Sequence, residues 1–471
     1  LELNLRLLFE APTLQGFAAQ VAHLQQDGGV AQGAIRALSA HDERPQSLAQ
    51  NRLWITWQLD TQSSAYTIPG ALRLRGELDE DAVRASFAQL IQRHDALRTR
   101  FYERDGQAYQ RIDAAVTFDL QLIDLSDLPA AEREARAQQI REDEARTVFD
   151  LEKGPLLWVT LVRLDDEDHQ LLVTLHHIIA DGWSLSILLD EFARLYSAAV
   201  QGQTLTLPAL TVSYADYGSW QRQWLADGEG SRQLAYWQAQ LGDEHPVLSL
   251  ATDHPRAAQH RRSASRHSVR LSASLSEALR QTAQAHESTP FMLLLAAFQT
   301  LLYRYSGQRD IRIGVPSASR PRQETQGLVG FFINTLVLRA ELDGRLRFNE
   351  LLAATRQTVL GAQAHQDLPF EQLLEAFPQA REQGLFQVMF NHQQRDLSAL
   401  RRLPGMLADE MPWHSREAKF DLQLHSEEDR NGRLSLSFDY ADELFEAATI
   451  QGLAEHFIHL LHGVCEQPHL A

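Results

Sequence analysis

The spacing of hydrophobic positions changes several times along the chain, and each change marks an element. Residues 156–165 and 169–179 are apolar, β-branched runs flanking Asp166-Glu167-Asp168, which predicts two strands joined by a turn. The period then becomes helical: Leu185, Leu188, Leu189, Phe192, Leu195 and Tyr196 share one face, with Ser184 as the expected cap and Gly202 as the stop. Earlier, 71–75 predicts a strand and 79–94 a helix turning Val83, Phe87, Leu90 and Ile91 inward. A comparable block starts near Ser268, with a strand over 269–272, a helix over 276–286, a buried helix over 291–304 and a strand over 311–315. Thr289 as cap, Pro290 in the first turn and Gly307 as stop delimit that buried helix. Residues 420–425 and 434–438 alternate around Asn431-Gly432, a hairpin signal, and a helix over 447–463 closes the fold. The outcome is two α/β halves divided near Trp220, with no short repeat.

The first residues read differently. Thr13 can cap a short helix with Leu14, Phe17, Val21 and Leu24 on one face, after the turn Glu10-Ala11-Pro12, yet no apolar partner lies nearby in sequence. Residues 27–45, with Gly28, Gly29 and Gly33, read as a linker.

Composition narrows the function. The formal charge of −18, from 62 acidic against 44 basic side chains, disfavours nucleic acid as a partner, because phosphate binding needs a basic face. Cys465 is the one cysteine, so an internal disulfide and a cysteine-based zinc site are both excluded. No apolar run approaches the ~18 residues that cross a bilayer, and no signal peptide is expected, so the cytoplasm is the expected location.

The chemistry concentrates at the end of the second long strand. His176 and His177 are adjacent, so their side chains diverge: one should pack as support while the other stays free for chemistry. The same divergence makes a metal site of His176, His177 and Asp181 a poor reading, and no metal is expected. Asp181-Gly182 falls at the strand-to-helix turn, where glycine would permit a tight or left-handed backbone and close approach of a substrate.

The spacing His176-His177-x-x-x-Asp181-Gly182 resembles the core motif of the condensation domains of nonribosomal peptide synthetases. Further segments resemble that family's other motifs in order: Ser47-Leu48-Ala49-Gln50-Asn51-Arg52-Leu53-Trp54, Arg93-His94-Asp95-Ala96-Leu97-Arg98-Thr99-Arg100-Phe101, Tyr214-Ala215-Asp216-Tyr217-Gly218-Ser219-Trp220, Gly330-Phe331-Phe332-Ile333-Asn334-Thr335 with Arg339, and His365-Gln366-Asp367-Leu368-Pro369-Phe370-Glu371. The seventh is partial, with Leu385-Phe386-Gln387-Val388-Met389-Phe390 in place but Ala380-Arg381-Glu382-Gln383 where an Arg-Asp-x-Ser is usual. Residues 5–14 are similar to the end of a peptidyl carrier domain, whose modified serine would lie upstream, so that phosphopantetheine is not expected on this chain.

The resemblance implies an α/β (α+β) fold of two chloramphenicol-acetyltransferase-like lobes, a V-shaped pseudodimer around a central tunnel. The expected layout is a carrier remnant over 1–26, a linker over 27–45, an N-lobe over 46–220 and a C-lobe over 221–471. It implies peptide-bond formation between a donor thioester and an aminoacyl acceptor, both carried on 4'-phosphopantetheine of carrier domains, with an adenylation domain adjacent and the chain a monomeric piece of a larger synthetase. His177 would stand beside the reacting groups with His176 in support. Asp181 would pair with an arginine, for which Arg320, Arg93 and Arg98 are candidates, and Asn334, Trp183 and Ser319 would line the substrate path. An epimerization domain is the nearest rival, but such domains usually have Asp-Gly-Val-Ser-Trp where this chain has Asp181-Gly182-Trp183-Ser184. A non-catalytic recruitment domain commonly lacks the second histidine, which is present here. Trp54 to Asp60 with Ser63 to Tyr66 resembles the subclass that accepts a D-configured donor, whereas a carrier tail running directly into the domain favours an L donor; the reading leans to a D donor and an L acceptor.

Overall fold

The computed structural model describes residues 13–26, 34–39, 43–256, 263–318, 320, 322–381, 383–411 and 417–470. In the first half, the strands are β1 (Thr67–Gly76), β2 (Thr99–Arg104), β3 (Gln107–Ile112), β4 (Gln121–Asp124), β5 (Leu157–Asp165) and β6 (Asp168–His176). The second half carries β7 (Ala264–Arg270), β8 (Asp310–Ser317), β9 (Asn334–Glu341), β10 (Val388–Arg395), β11 (Met406–Glu410), β12 (Leu422–Asp429) and β13 (Leu434–Ala441). They form two large sheets, ordered β11-β1-β6-β5-β4 and β7-β13-β12-β10-β8-β9, while β2 and β3 pair as a separate hairpin. Antiparallel pairs dominate both, with parallel pairs at β4/β5 and at β10 with β8 and β12.

Each sheet has its own core. Leu161, Leu171 and Leu175 pack with Val83, Phe87, Leu90 and Phe192 from the helices Glu80–Arg93 and Gly182–Val200. Val162, Leu164 and Leu172 point the other way, beneath Ala137 and Ile140 of the helix Ala130–Glu144. β6 is therefore covered on both faces and is buried almost without a break. The second core centres on the helix Pro290–Ser306, whose buried side chains meet the second sheet and the helix Ala447–Glu466. Its boundaries follow the local signals: Thr289 Oγ1 accepts from the Met292 amide, Pro290 sits in the first turn and Gly307 takes φ +69°.

Some expectations shift. The strand expected over 169–179 ends at His176, and His177–Ile179 is a 3₁₀ turn. Asp181, not Ser184, caps the following helix; its carboxylate accepts from the Ser184 amide, which places Ser184 inside the first turn. β11 has no counterpart among the expected strands. It comes from the second half of the chain but joins the first sheet against β1, and Ala399, Leu400, Leu403 and Met406 sink into the first core. The segment expected to be a linker is partly docked: Ile35 is buried against Val212, Tyr214, Tyr217, Leu328 and Phe332, and the Leu38 amide donates to Asp216. By contrast the helix Leu14–Gln26, capped by Thr13, exposes Leu14 and belongs to no core cluster among the described residues. The Glu10-Ala11-Pro12 turn lies outside the described residues.

Candidate active site

The two histidines diverge at the end of β6. His176 is buried between Phe149 and Tyr66, with ring centroids 5.9 and 6.5 Å away, and its Nδ1 accepts from the Ile178 amide at 3.0 Å. His177 turns the opposite way, toward Phe331 of the second half of the chain, at 5.5 Å between centroids. Its amide donates to the Tyr66 carbonyl at 2.8 Å, and its Nδ1 lies 3.1 Å from the Ala180 carbonyl. A carbonyl only accepts, so Nδ1 of His177 carries the proton and Nε2 keeps its lone pair. Burial, and then the nearby ammonium of Lys419, push both imidazoles down to about 3, so both are neutral at neutral pH.

Asp181 is fully buried and ties the turn to the other half of the chain. One oxygen accepts from the Ser184 amide and hydroxyl and from Arg320 Nη2, at 2.7 to 2.8 Å; the other accepts from the Phe332 amide at 3.1 Å. Arg320 also donates to the carbonyls of Thr325 and Leu328 and lies 3.9 Å over the Phe332 ring. Of the three candidate arginines, Arg320 is the one on Asp181. Arg93 binds Glu191, with His94 on the same carboxylate, and Arg98 is spent on Asp95 and the Ile91 carbonyl, so neither is an Asp181 partner.

Other candidates read differently in place. Gly182 is the first residue of its helix with a helical rather than left-handed backbone, which corrects the conformational argument. A Cβ there would meet nothing within 4 Å, and the residue lines an apolar cavity of about 280 Å³ with Leu185, Leu189, Leu171 and Val173. Asn334 donates to the carbonyls of Gln366 and Leu368 and accepts from the Phe370 amide. Both of its N–H donors are committed to holding that loop. Trp183 is half exposed, but its indole N–H is used on the Gln326 carbonyl at 3.0 Å, bridging the halves. Ser319 lies outside the described residues.

Three residues complete the surroundings of His177. Arg52, on the helix Leu48–Leu59, pairs with Glu371 at 3.1 Å and lies over Phe331. Tyr66 precedes β1, and Lys419 precedes β12, with its ammonium 4.7 Å from the Tyr66 ring centre. Arg52 and Tyr66 belong to motif-like segments of the sequence but have no assigned role there, and Lys419 carries no sequence signal beyond the rarity of lysine in this chain. Behind them, Gln50 donates to the Ile178 carbonyl, and Tyr214 links Ser47 to the Phe331 carbonyl. Lys419 is exposed to solvent and His177 is half-buried, so solvent reaches the face of the turn on which they stand.

A model of the condensation domain matches residues 40–471. This chain belongs to the condensation-domain family. A linear gramicidin synthase protein of Brevibacillus parabrevis is 45% identical over 99% of the chain, and phosphinothricin tripeptide synthetase PhsC of Streptomyces viridochromogenes is 38% identical over 90%. The domain spans 9% and 39% of those two proteins. Among solved structures, the X-domain from teicoplanin biosynthesis matches with TM-score 0.82 and 25% identity, over 93% of this chain and 98% of that one. The condensation domain of the Monacolin K polyketide synthase MokA matches with TM-score 0.79 and 23% identity, over 92% and 99%, a likeness of fold alone. The two-lobe acetyltransferase-like α/β fold is thus that of the family.

Proposed function

We propose that this condensation domain joins an acyl or peptidyl thioester to an aminoacyl amine at His177, both delivered on phosphopantetheine arms of partner carrier domains. One observation carries the reading: Nε2 of His177 is a free lone pair, fixed by the Nδ1–H bond to Ala180, where the turn meets Phe331 of the other lobe. The acceptor nitrogen attacks the donor carbonyl carbon, the C–N bond forms, the C–S bond breaks, and the proton lost by nitrogen ends on the departing thiol. A thioester is already activated, so holding amine and carbonyl together supplies much of the rate. Neutral His177 accepts a hydrogen bond from the amine and orients its lone pair, a contribution worth roughly 10² to 10⁴ in rate. Solvent reaches both His177 and Lys419, as delivery of substrates on an arm requires.

The layout proposed is a carrier tail over 1–26, a linker over 27–45 and lobes over 46–220 and 221–471. A first helix that exposes Leu14 and joins no core cluster among the described residues supports the carrier tail. Upstream and downstream carriers and an adjacent adenylation domain are the partners, in a cytoplasmic synthetase; among the described residues no helix is long and apolar enough to cross a membrane. The donor is taken as D-configured and the acceptor as L. Tyr66, from the segment that suggests this subclass, lies against His176 and Lys419, where it can sense the donor's α-carbon.

The test uses carriers loaded with peptidyl donor and aminoacyl acceptor, with product read by mass. Wild type should form the amide and His177→Ala should slow it by roughly 10² to 10⁴-fold with an unchanged melting curve. Full activity of His177→Ala overturns the assignment. With matched D- and L-terminated donors the D form should react faster; the reverse order overturns the stereochemical reading alone.

A further inference from the structure

Only two of the 44 basic side chains in this sequence are lysines, Lys153 and Lys419. Lys153 is an exposed surface residue paired with Asp150 three positions earlier. Lys419 is exposed to solvent and stands beside both histidines, on the Tyr66 ring whose own backbone carbonyl holds His177. Among the described residues no carboxylate lies within ion-pair distance of it. Its charged neighbours are Arg52 from the helix Leu48–Leu59 and Glu417 from its own segment; the other titratable groups facing it are His176, His177 and Tyr66. The other nearby carboxylates are engaged elsewhere, Glu371 on Arg52 and Asp181 on Arg320.

We propose that Lys419 supplies, from the second lobe, the positive charge that faces the donor carbonyl as its oxygen becomes negative during amine attack. The inference rests on the amide-forming reading above. When the C–N bond forms, the carbonyl oxygen takes up the electron pair of its π bond, and it returns that pair as the C–S bond breaks. A charge already in place and short of a counter-ion stabilises that oxygen without reorganisation. His177 cannot do this, because its Nδ1–H is occupied and its Nε2 is an acceptor. Arg52 is held by Glu371. A compact ammonium also suits the task better than a guanidinium, whose planar fork seeks two partners. In a chain that otherwise uses arginine for nearly every basic position, a lysine here marks a place where that difference matters. Together with Arg52 the same charge disfavours a further cation there, so the acceptor is held as neutral amine, the form that attacks.

The test compares wild type with Lys419→Met and Lys419→Arg in single-turnover condensation on loaded carriers, from about pH 7 to 9.5. At pH 7 Lys419→Met should be slower by roughly 10 to 10³-fold, with carrier affinity and melting curve unchanged, and Lys419→Arg should recover part of the loss. Burial and Arg52 lower Lys419 to about 8, so the ratio of wild-type to Lys419→Met rates should fall toward one above pH 8, while the ratio of Lys419→Arg to Lys419→Met stays level. Taking ratios cancels the titration of the acceptor amine. A Lys419→Met rate within about threefold of wild type, or a wild-type ratio constant to pH 9.5, overturns the proposal. No amide from wild type on any carrier pair would instead overturn the function beneath it.

Discussion

Nδ1 of His176 accepts from Ile178 while Nδ1 of His177 donates to Ala180, so two adjacent imidazoles hold opposite tautomers. The first spends its lone pair on the turn that aims the second. His176→Ala should leave the buried Ile178 N–H unsatisfied at a cost of about 1–3 kcal/mol, read as a lower urea midpoint at pH 7.5. His176 also confers acid sensitivity. Its folded-state value, about 3, lies below the unfolded ~6.5, so the unfolded chain binds the proton first and stability falls as pH drops from 6.5 toward 3, by up to about 1.4 kcal/mol per unit. His176→Asn keeps an acceptor for Ile178 without the titration, and its midpoint should vary less between pH 6.5 and 4 than that of wild type. Asp181→Ala strands Arg320 and the Phe332 amide together, and should destabilise by about 3–5 kcal/mol, checked by the same melts. At this scale the divergence of the histidines follows from strand alternation, and Asp181 from its motif. Which arginine crosses to Asp181 is not legible in the sequence, because Arg93, Arg98 and Arg320 look alike until the chain is folded.

Elements with a chemical start and stop are readable. Thr289, Pro290 and Gly307 delimit the buried helix, and Asn431-Gly432 turns the hairpin of β12 and β13. The Asp105-Gly106 pair carries the same type of signal, and both residues have positive φ, but the strands around it are too short and polar to stand out. β11 offers less: Met406-Leu407-Ala408-Asp409-Glu410 is brief, acidic and without alternation, and its partner lies more than 300 residues upstream. What seats it is the close passage of Gly76 and Gly405. Gly76 has φ +125°, and a Cβ there would fall 2.2 Å from the Gly405 carbonyl oxygen. Gly76→Ala should therefore loosen β11 and cost at least about 1–3 kcal/mol, seen as faster amide hydrogen exchange in 406–410 than in β6.

On the scale of the whole molecule, the two lobes meet through the Asp181 hub, through Ser184 with Gly330, through Trp183 with Gln326 and through Arg52 with Glu371. The turn that carries His177 is thus built on one lobe but held by the other. The strand exchange extends this interdependence. Because β11 lies after the apparent division of the chain but belongs to the first sheet, inheritance of the lobes is not separable at a single cut. A recombinant synthetase that joins residues 46–220 of this domain to the remainder of a relative would lay a foreign strand along β1 and bring a foreign Arg320 equivalent to Asp181. Grafts that carry 397–410 along with the first lobe keep that sheet whole, and crossover points chosen by sheet membership should outperform those chosen by position along the gene.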